Sequence, residues 1–292
     1  MENVNLAKNI FGSAGRFPDR RAVVFYDRVL RYSQLRDDVS RLAAAFTARG
    51  ICGGERLAIA LPNVTELVTA YYAALCAGAI VVPVNPLYTH SEIDFILRDS
   101  GARAVITHPM FEQAVRQAIG DNNVDMFYSD SLGDPAKECV ADILKGVSNG
   151  IAPAEKASGD TAVIAYTNAV SGWPLGAQLT HGGLNHNIDG CKIVAACDEN
   201  DVFLTVLPLY HAFSAMSCMH LPLKAGAATI LNETFSEKRV VGILETEPIS
   251  IFPSVPAIFR KIYDVYGGSG KDFSSVKAFV PGGAPMDTEL QK

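Results

Sequence analysis

The sequence predicts an α/β protein of parallel strands and crossover helices, and three observations carry that reading. Short apolar runs of strand length alternate with segments of helical periodicity, the pattern expected of strands joined by crossover helices. Apolar residues are 49% of the chain and charged residues 19%, which suits strands buried on both faces. At 292 residues the chain exceeds the usual single-domain size and can bury one large core or two smaller ones.

The elements follow in order. Val23 to Tyr26 and Val29 to Tyr32 flank Asp27-Arg28 as a hairpin, and Ser33 then caps a helix through about Arg49. Arg56 to Leu61 reads as a strand and Val64 to Ala77 as an apolar helix. Ile80 to Val84, Ala104 to Thr107 and Val124 to Tyr128 read as further strands, separated by helices near Glu92 to Asp99 and Phe111 to Ile119. From Ser131 to Asp160 periodicity is lost and Gly, Pro, Ser and charged residues gather, so a connecting surface segment is expected, neither strand nor helix. Alternation then resumes with strands at Thr161 to Tyr166, Val202 to Leu207, Ala227 to Leu231, Ile249 to Phe252 and Val276 to Val280. Helices are expected near Glu237 to Glu245 and Val255 to Val265. The chain stops at Gln291-Lys292, inside what Met286 to Leu290 begins as a helix, so truncation is expected. There is no repeat of fixed period and no low-complexity tract.

A formal charge of −6 and a pI near 5.5 give no general attraction to nucleic acid, and no nucleic acid partner is expected. Cys52, Cys76, Cys139, Cys191, Cys197 and Cys218 form no CxxC pair and no dense secreted-type framework, so reduced core thiols are expected. The N-terminus lacks a basic segment followed by a long apolar run, and the most apolar stretch, Ala77 to Val84, is far too short to span a bilayer. The expected location is cytoplasmic, with no transmembrane segment.

The chemistry is concentrated in Ala165 to His181, AYTNAVSGWPLGAQLTH. A Gly-rich turn after a strand can aim backbone N–H groups at a phosphate, with hydroxyls and a lysine adding hydrogen bonds and charge. Thr167, Ser171, Gly172 and Gly176 supply part of such a cradle. Ala169 resists the positive-φ geometry glycine allows, and Val170 is stiff and β-branched. Losing one charge-assisted contact costs about 1.5–3 kcal/mol, so the segment reads as a weak phosphate cradle.

Tyr166-Thr167 through Gly172, Pro174, Gly176 and Thr180-His181 resembles the signature loop of the AMP-forming acyl-CoA synthetase and luciferase superfamily, YTSGTTGxPKG followed by a threonine and histidine. Four further segments carry the resemblance, which runs from about Phe11 to the end. Glu55 to Asn63 and Ala77 to Tyr88 are similar to the family's GDRVAIxLPN and AGAVxVPLNPxY segments. Leu207 to Phe213 resembles its LPLFHxFG motif, and Ile251 to Pro256 with Gly282-Gly283-Ala284-Pro285-Met286 resembles its pocket helix entry and adenine-side turn. The likeness is to the N-terminal part of a fatty-acid or 4-coumarate type CoA ligase.

The resemblance implies the N-terminal domain of an adenylate-forming enzyme: two similar α/β subdomains, truncated, without the small C-terminal domain. It implies that residues 1–50 begin the second subdomain, that 51–190 form the first and include the degenerate phosphate loop 166–177, and that 191–292 form the rest of the second. ATP or AMP with Mg, coenzyme A and a carboxylic acid or acyl ligand are the implied cofactors and substrate. By motif position, Thr167, Ser171, Gly172 and Gly176 face phosphates, and Gly283, Ala284 and Pro285 pass along the adenine. His211 is the catalytic candidate and borders the acyl pocket with Phe213, Val255 and Pro256.

Departures from the family accompany these matches. Asn168-Ala169-Val170 replaces a small hydroxyl residue, a glycine and a second hydroxyl residue, and Leu175 stands where the family has lysine. The family's magnesium-linked glutamate, ribose-binding aspartate, hinge and catalytic lysine belong to motifs beyond Lys292. Nucleotidyl transfer depends on positioning and charge stabilisation, so such a chain is expected to adenylate poorly alone.

Plainer roles stand beside these. Phe213, Val255 and Pro256 read equally well as ordinary core. Trp173 reads as a surface or lid residue rather than a stacking platform. Neither a hydrolase triad around His181 and His186 nor a metal site at Cys191, Cys197 and His186 has the residues it needs, and no metal ligand set is expected. Three functions remain: an impaired synthetase-like domain of fatty acid metabolism; a non-catalytic acyl- or partner-binding regulatory pseudoenzyme; and an enzyme of altered, non-adenylating chemistry. Expected partners are a second copy, a complete synthetase or a missing C-terminal half.

Overall fold

The computed structural model describes residues 3–167, 172–267, 270 and 272–288. The chain divides into two compact units: Met1–Gly12, Ser33–Pro62 and Glu66–Asn187 form unit 1, and Ser13–Tyr32, Asn63–Thr65 and Ile188–Lys292 form unit 2. In chain order the strands are β1 (Arg21–Phe25), β2 (Arg28–Arg31), β3 (Arg56–Ala60), β4 (Ile80–Pro83), β5 (Ala102–Thr107) and β6 (Asp125–Tyr128). They continue as β7 (Thr161–Tyr166), β8 (Gly176–Thr180), β9 (Val202–Thr205), β10 (Ala228–Leu231), β11 (Ile251–Ser254) and β12 (Ala278–Pro281).

The sheet of unit 1 has the order β6-β5-β3-β4-β7-β8 and that of unit 2 the order β12-β11-β9-β10-β1-β2. In each, the first five strands run parallel and the sixth is antiparallel to its neighbour. The two orders are one topology: β3 to β6 hold the places of β9 to β12, and the hairpin β7–β8 that follows β6 in the chain holds the place of β1–β2, which precedes β9. The expected pair of similar α/β subdomains is thus present, related by a permutation of one hairpin.

In unit 1, β3 is buried over Leu57, Ala58, Ile59 and Ala60, as a central parallel strand covered on both faces must be. The helix Thr65–Cys76 is apolar on all sides and correspondingly buried, with Val68, Tyr72, Ala73 and Leu75 fully enclosed. The helix Tyr32–Ala48 buries Leu35, Val39, Leu42 and Phe46, a three-to-four spacing that makes one apolar stripe. From Ser33 on, that helix lies in unit 1. Its Ser40 hydroxyl donates to the Ile151 carbonyl at 2.7 Å, and Phe46 packs 6.3 Å from Phe127 of β6, both partners in unit 1, while the Tyr32 hydroxyl donates to the Ala227 carbonyl of its own unit 2 at 2.7 Å.

The segment 131–160 is more ordered than expected. It holds a helix, Val140–Gly146, whose Val140 and Ile143 are buried, and Cys139 bridges to Tyr128 at the end of β6. Two apolar residues three apart are too few to register as a period. Further on, the buried Asn5 amide donates to the carbonyls of Leu75 (2.8 Å) and Ala154 (2.9 Å), tying 154 into the unit.

Helices Lys8–Arg16 and His181–Val194, strand β8 and a helical stretch over 212–225 carry no clear sequence signal. Three glycines interrupt His181–Val194, and one is required: a Cβ at Gly182 would lie 2.8 Å from the Ser158 carbonyl. In 212–225 the turns widen over Ala215–His220 just before Pro222. Proline lacks the N–H that would bond the Cys218 carbonyl, and the Thr229 hydroxyl takes that role at 2.8 Å. Met286 and Asp287 lie outside regular structure, against the expected helix there, and Leu290 lies outside the described residues. All six cysteines are free, four of them buried. Among the described residues no helix is long and apolar enough to cross a membrane.

Candidate functional site

In open parallel sheets, ligands bind beyond the carboxyl ends of strands, at the point where successive connections leave in opposite directions. In unit 2 that point lies between β9, which connects to β10 on one side, and β11, which connects to β12 on the other. The segments leaving β9, β11 and β12 carry His211 and Phe213, Val255 and Pro256, and Gly283, Ala284 and Pro285, respectively.

The β9 segment is held by a buried side chain whose role the sequence did not reveal. Asn63 donates its amide to the carbonyls of Leu207 (2.9 Å) and Asn232 (3.1 Å), and its Oδ1 accepts the Leu209 N–H at 2.8 Å. All its bonds go to backbone, so it sets the course of the chain towards His211. Ser214 adds to this, donating to the carbonyls of Pro208 and His211. The motif ending Leu61-Pro62-Asn63 was legible in sequence, but a contact across more than a hundred residues was not.

His211 is exposed, its ring 4.6 Å from that of Tyr210, and partial desolvation pushes its pKa below the ordinary imidazole value. It is therefore neutral at pH 7 and able to offer both a donor and an acceptor nitrogen. Phe213 is half-buried against the helix-side core, and a Cβ on Gly282 would come within 2.3 Å of its Cζ. Gly283 adopts φ +76°, and a Cβ there would rest 3.5 Å from Val255 Cγ1. Val255 precedes the helix Pro256–Tyr266, with the buried Pro256 at its first turn, where no N–H is needed. Phe213, Val255, Gly282 and Gly283 therefore meet, while Ala284 and Pro285 stand exposed beyond them. Ser254 ends β11 fully buried, and its hydroxyl has no hydrogen-bond partner among the described residues.

The phosphate-loop candidates sit on the β7–β8 hairpin of unit 1. Ser171 lies outside the described residues, as do Asn168, Ala169 and Val170. Thr167 donates its N–H to the Leu175 carbonyl at 3.0 Å, and its hydroxyl accepts the Leu175 N–H at 3.1 Å. Gly172 has φ +149° with open space around it. Gly176 is needed for packing, since a Cβ would meet Ile164 Cγ2 at 2.9 Å and Tyr166 Cζ at 3.1 Å. Leu175 is 74% exposed, presenting an apolar side chain where the motif calls for a cation. Trp173 is exposed, as expected, but its ring also stacks on Phe95, which the sequence reading did not foresee.

His181, the histidine of the loop's end, is fully buried. Its Nδ1 accepts the Leu6 N–H at 3.1 Å, which places the proton on Nε2, an atom with no partner among the described residues. Burial, aided by the Lys156 charge, pushes its pKa down to about 4, so it stays neutral and contributes no charge to the hairpin. The described part of the loop, 167 and 172–176, holds no cationic side chain and a threonine hydroxyl already engaged with backbone. No three His, Cys, Asp or Glu side chains converge to hold a metal among the described residues.

The chain belongs to the AMP-binding enzyme family, whose model matches residues 10–292. It is 27% identical over 321 residues to the long-chain-fatty-acid–CoA ligase of Bacillus subtilis (strain 168), covering 100% of this chain and 57% of that protein. It is 31% identical over 258 residues to 4-coumarate–CoA ligase 5 of Oryza sativa subsp. japonica, covering 86% of this chain and 47% of the ligase. The inhibitor-bound N-terminal domain of FACL13 from Mycobacterium tuberculosis superimposes with a TM-score of 0.90 at 26% identity, over 99% of this chain and 72% of that one. The chain thus spans about half the length of the curated relatives it matches.

Proposed function

We propose that this chain is an acyl-CoA synthetase-like N-terminal domain that retains the acyl side of its site in unit 2 and adenylates carboxylic acids inefficiently, if at all, on its own. The observation that carries the reading is the exposed Leu175 at the lysine position of the phosphate loop. Transfer at phosphorus is driven by positioned charge, and an apolar side chain supplies none. The acid is an apolar acyl or aryl carboxylate, in keeping with Phe213 and Val255 beside the glycine turn. ATP or AMP, Mg and coenzyme A are ligands that relatives of this kind imply and that this loop is poorly built to engage.

Calorimetric titration with ATP, and separately with fatty and aromatic acids, tests the reading. The comparison is a variant carrying Asn168→Ser, Ala169→Gly, Val170→Thr and Leu175→Lys. The parent is expected to bind an acid but no ATP, and the variant to gain ATP binding. Micromolar ATP binding by the parent would sink the proposal, and pyrophosphate exchange would then measure its activity.

A second reading, a non-catalytic acyl- or partner-binding regulatory protein of the cytoplasm, draws on the same contrast between an altered loop and an intact glycine turn. Exposed Tyr263, Val265 and Phe279 on the β12 side of unit 2 suit pairing with a second copy or with a complete synthetase. Sedimentation at rising concentration reads self-association, and an unchanging monomer mass refutes it.

A further inference from the structure

We propose that Tyr166 and Trp173 are positioning residues, a two-point clamp that fixes both flanks of the loop 167–175 to one face of the helix His90–Ser100. The idea rests on contacts of the protein alone and holds whether or not nucleotide binds.

The helix is a firm base. Thr89 and Glu92 form a reciprocal capping box at its start, and Gly101 closes its end in the left-handed conformation with φ 63°. Ile93, Ile96, Leu97 and Ser100 are buried beneath it. Phe95 and Asp99 are four residues apart, one above the other on the same side of the helix. Each takes hold of a different flank of the loop. Tyr166, the last residue of β7, donates its hydroxyl to Asp99 Oδ2 at 2.5 Å, a charge-assisted bond stronger than a neutral one. Trp173, on the opposite flank, stacks on Phe95 with ring centroids 4.8 Å apart and planes 22° from parallel.

The flanks are also tied to each other. The two bonds between Thr167 and Leu175 close the hairpin above the clamp, and Gly176 gives the Tyr166 ring room to lie across it. Two anchor points on one rigid element together with a cross-link define a triangle, so the flanks cannot pivot without breaking at least one contact. The clamp also forms one wall of a groove of about 540 Å³, which His90, Asp94, Arg98 and Gln117 line alongside Phe95, Asp99 and Trp173. The two flanks of the loop are therefore held by the helix and preset before any ligand arrives.

Trp173 is the sole tryptophan of the chain, so its fluorescence reports on this flank alone. Acrylamide quenching and time-resolved anisotropy would be measured on the parent and on Phe95→Leu, Phe95→Tyr and Tyr166→Phe, with melting temperatures to confirm folding. Phe95→Leu is expected to raise the quenching constant by about two-fold or more and to introduce a fast local rotation, the low end of what an aromatic pair contributes. Phe95→Tyr keeps the ring and should match the parent. The decisive variant is Tyr166→Phe, which removes a hydroxyl bonded to Asp99, yet is expected to raise Trp173 quenching as well. Quenching unchanged by Tyr166→Phe would overturn the clamp, because a purely local stack would not sense the distant bond. Quenching unchanged by Phe95→Leu would show that the stack is absent in solution. Should a variant fail to fold, hydrogen exchange on the parent decides instead. The Thr167 and Leu175 amides should be protected, and unprotected amides would refute the proposal.

Discussion

His181 shows how a motif residue can serve the fold. Its imidazole accepts a backbone N–H through Nδ1 and is wholly enclosed, and burial lowers its pKa from the ordinary 6.5 to about 4. Because the folded state binds its proton later than the unfolded chain, its contribution is complete above pH 6.5 and disappears as pH falls towards about 4. The loss amounts to about 3 kcal/mol once both states are protonated. His220, buried in unit 2 and pushed to about 3, acts in the same direction. Denaturant titrations at stepped pH should therefore show stability dropping across this acid window, with less of a drop in His181→Gln. Equal slopes for parent and variant would contradict the assignment. The sequence displayed the Thr180-His181 pair, but neither its burial nor its bond to Leu6 could be read from residues so far apart.

At the scale of elements, the turn after β12 is shaped by what it must touch. A Cβ on Gly282 would overlap the Phe213 ring, so Gly282→Ala is expected to cost about 1–3 kcal/mol through overpacking. In a Phe213→Ala background the same change should cost far less, and a double-mutant cycle with no coupling would show that the two do not meet. Strands with dense Val, Ile and Leu, such as β3, β4 and β9, were legible because burial on both faces demands continuous apolar runs. Strand β8 was not, since its exposed residues Gly176, Ala177 and Gln178 carry no alternation. The helix Val140–Gly146 carries too little length for a period, and in the helix His181–Val194 the three glycines weaken the helical pattern. The site was legible as motifs. What escaped was the packing around them, including Asn63 holding 207–209 and Phe95 meeting Trp173.

Over the whole molecule, the α/β class followed from alternation and composition, and the two similar units followed from family resemblance. The crossing between units near residue 32 carries no sequence signal, because helix Tyr32–Ala48 directly follows strand β2 with no linker to mark the change. The chain passes from one unit to the other after residues 12, 32, 62, 65 and 187, so no single cut separates them. A cut after residue 187 would leave the C-terminal piece with the strands β12-β11-β9-β10 and a bare β10 edge, while the hairpin that covers it, β1–β2, stayed on the N-terminal piece. Val23, Val24 and Phe25 pair in register with Thr229, Ile230 and Leu231, so each piece would hold the strand the other lacks. Co-expressed as 1–187 and 188–292, the pieces should recover each other by strand exchange and co-purify; failure to do so would indicate that the hairpin adds little to that edge. The permuted hairpin thus makes this polypeptide a natural candidate for a split reporter, with its reassembly code written in the β1–β10 strand pair and the Asn63 bonds to Leu207, Leu209 and Asn232.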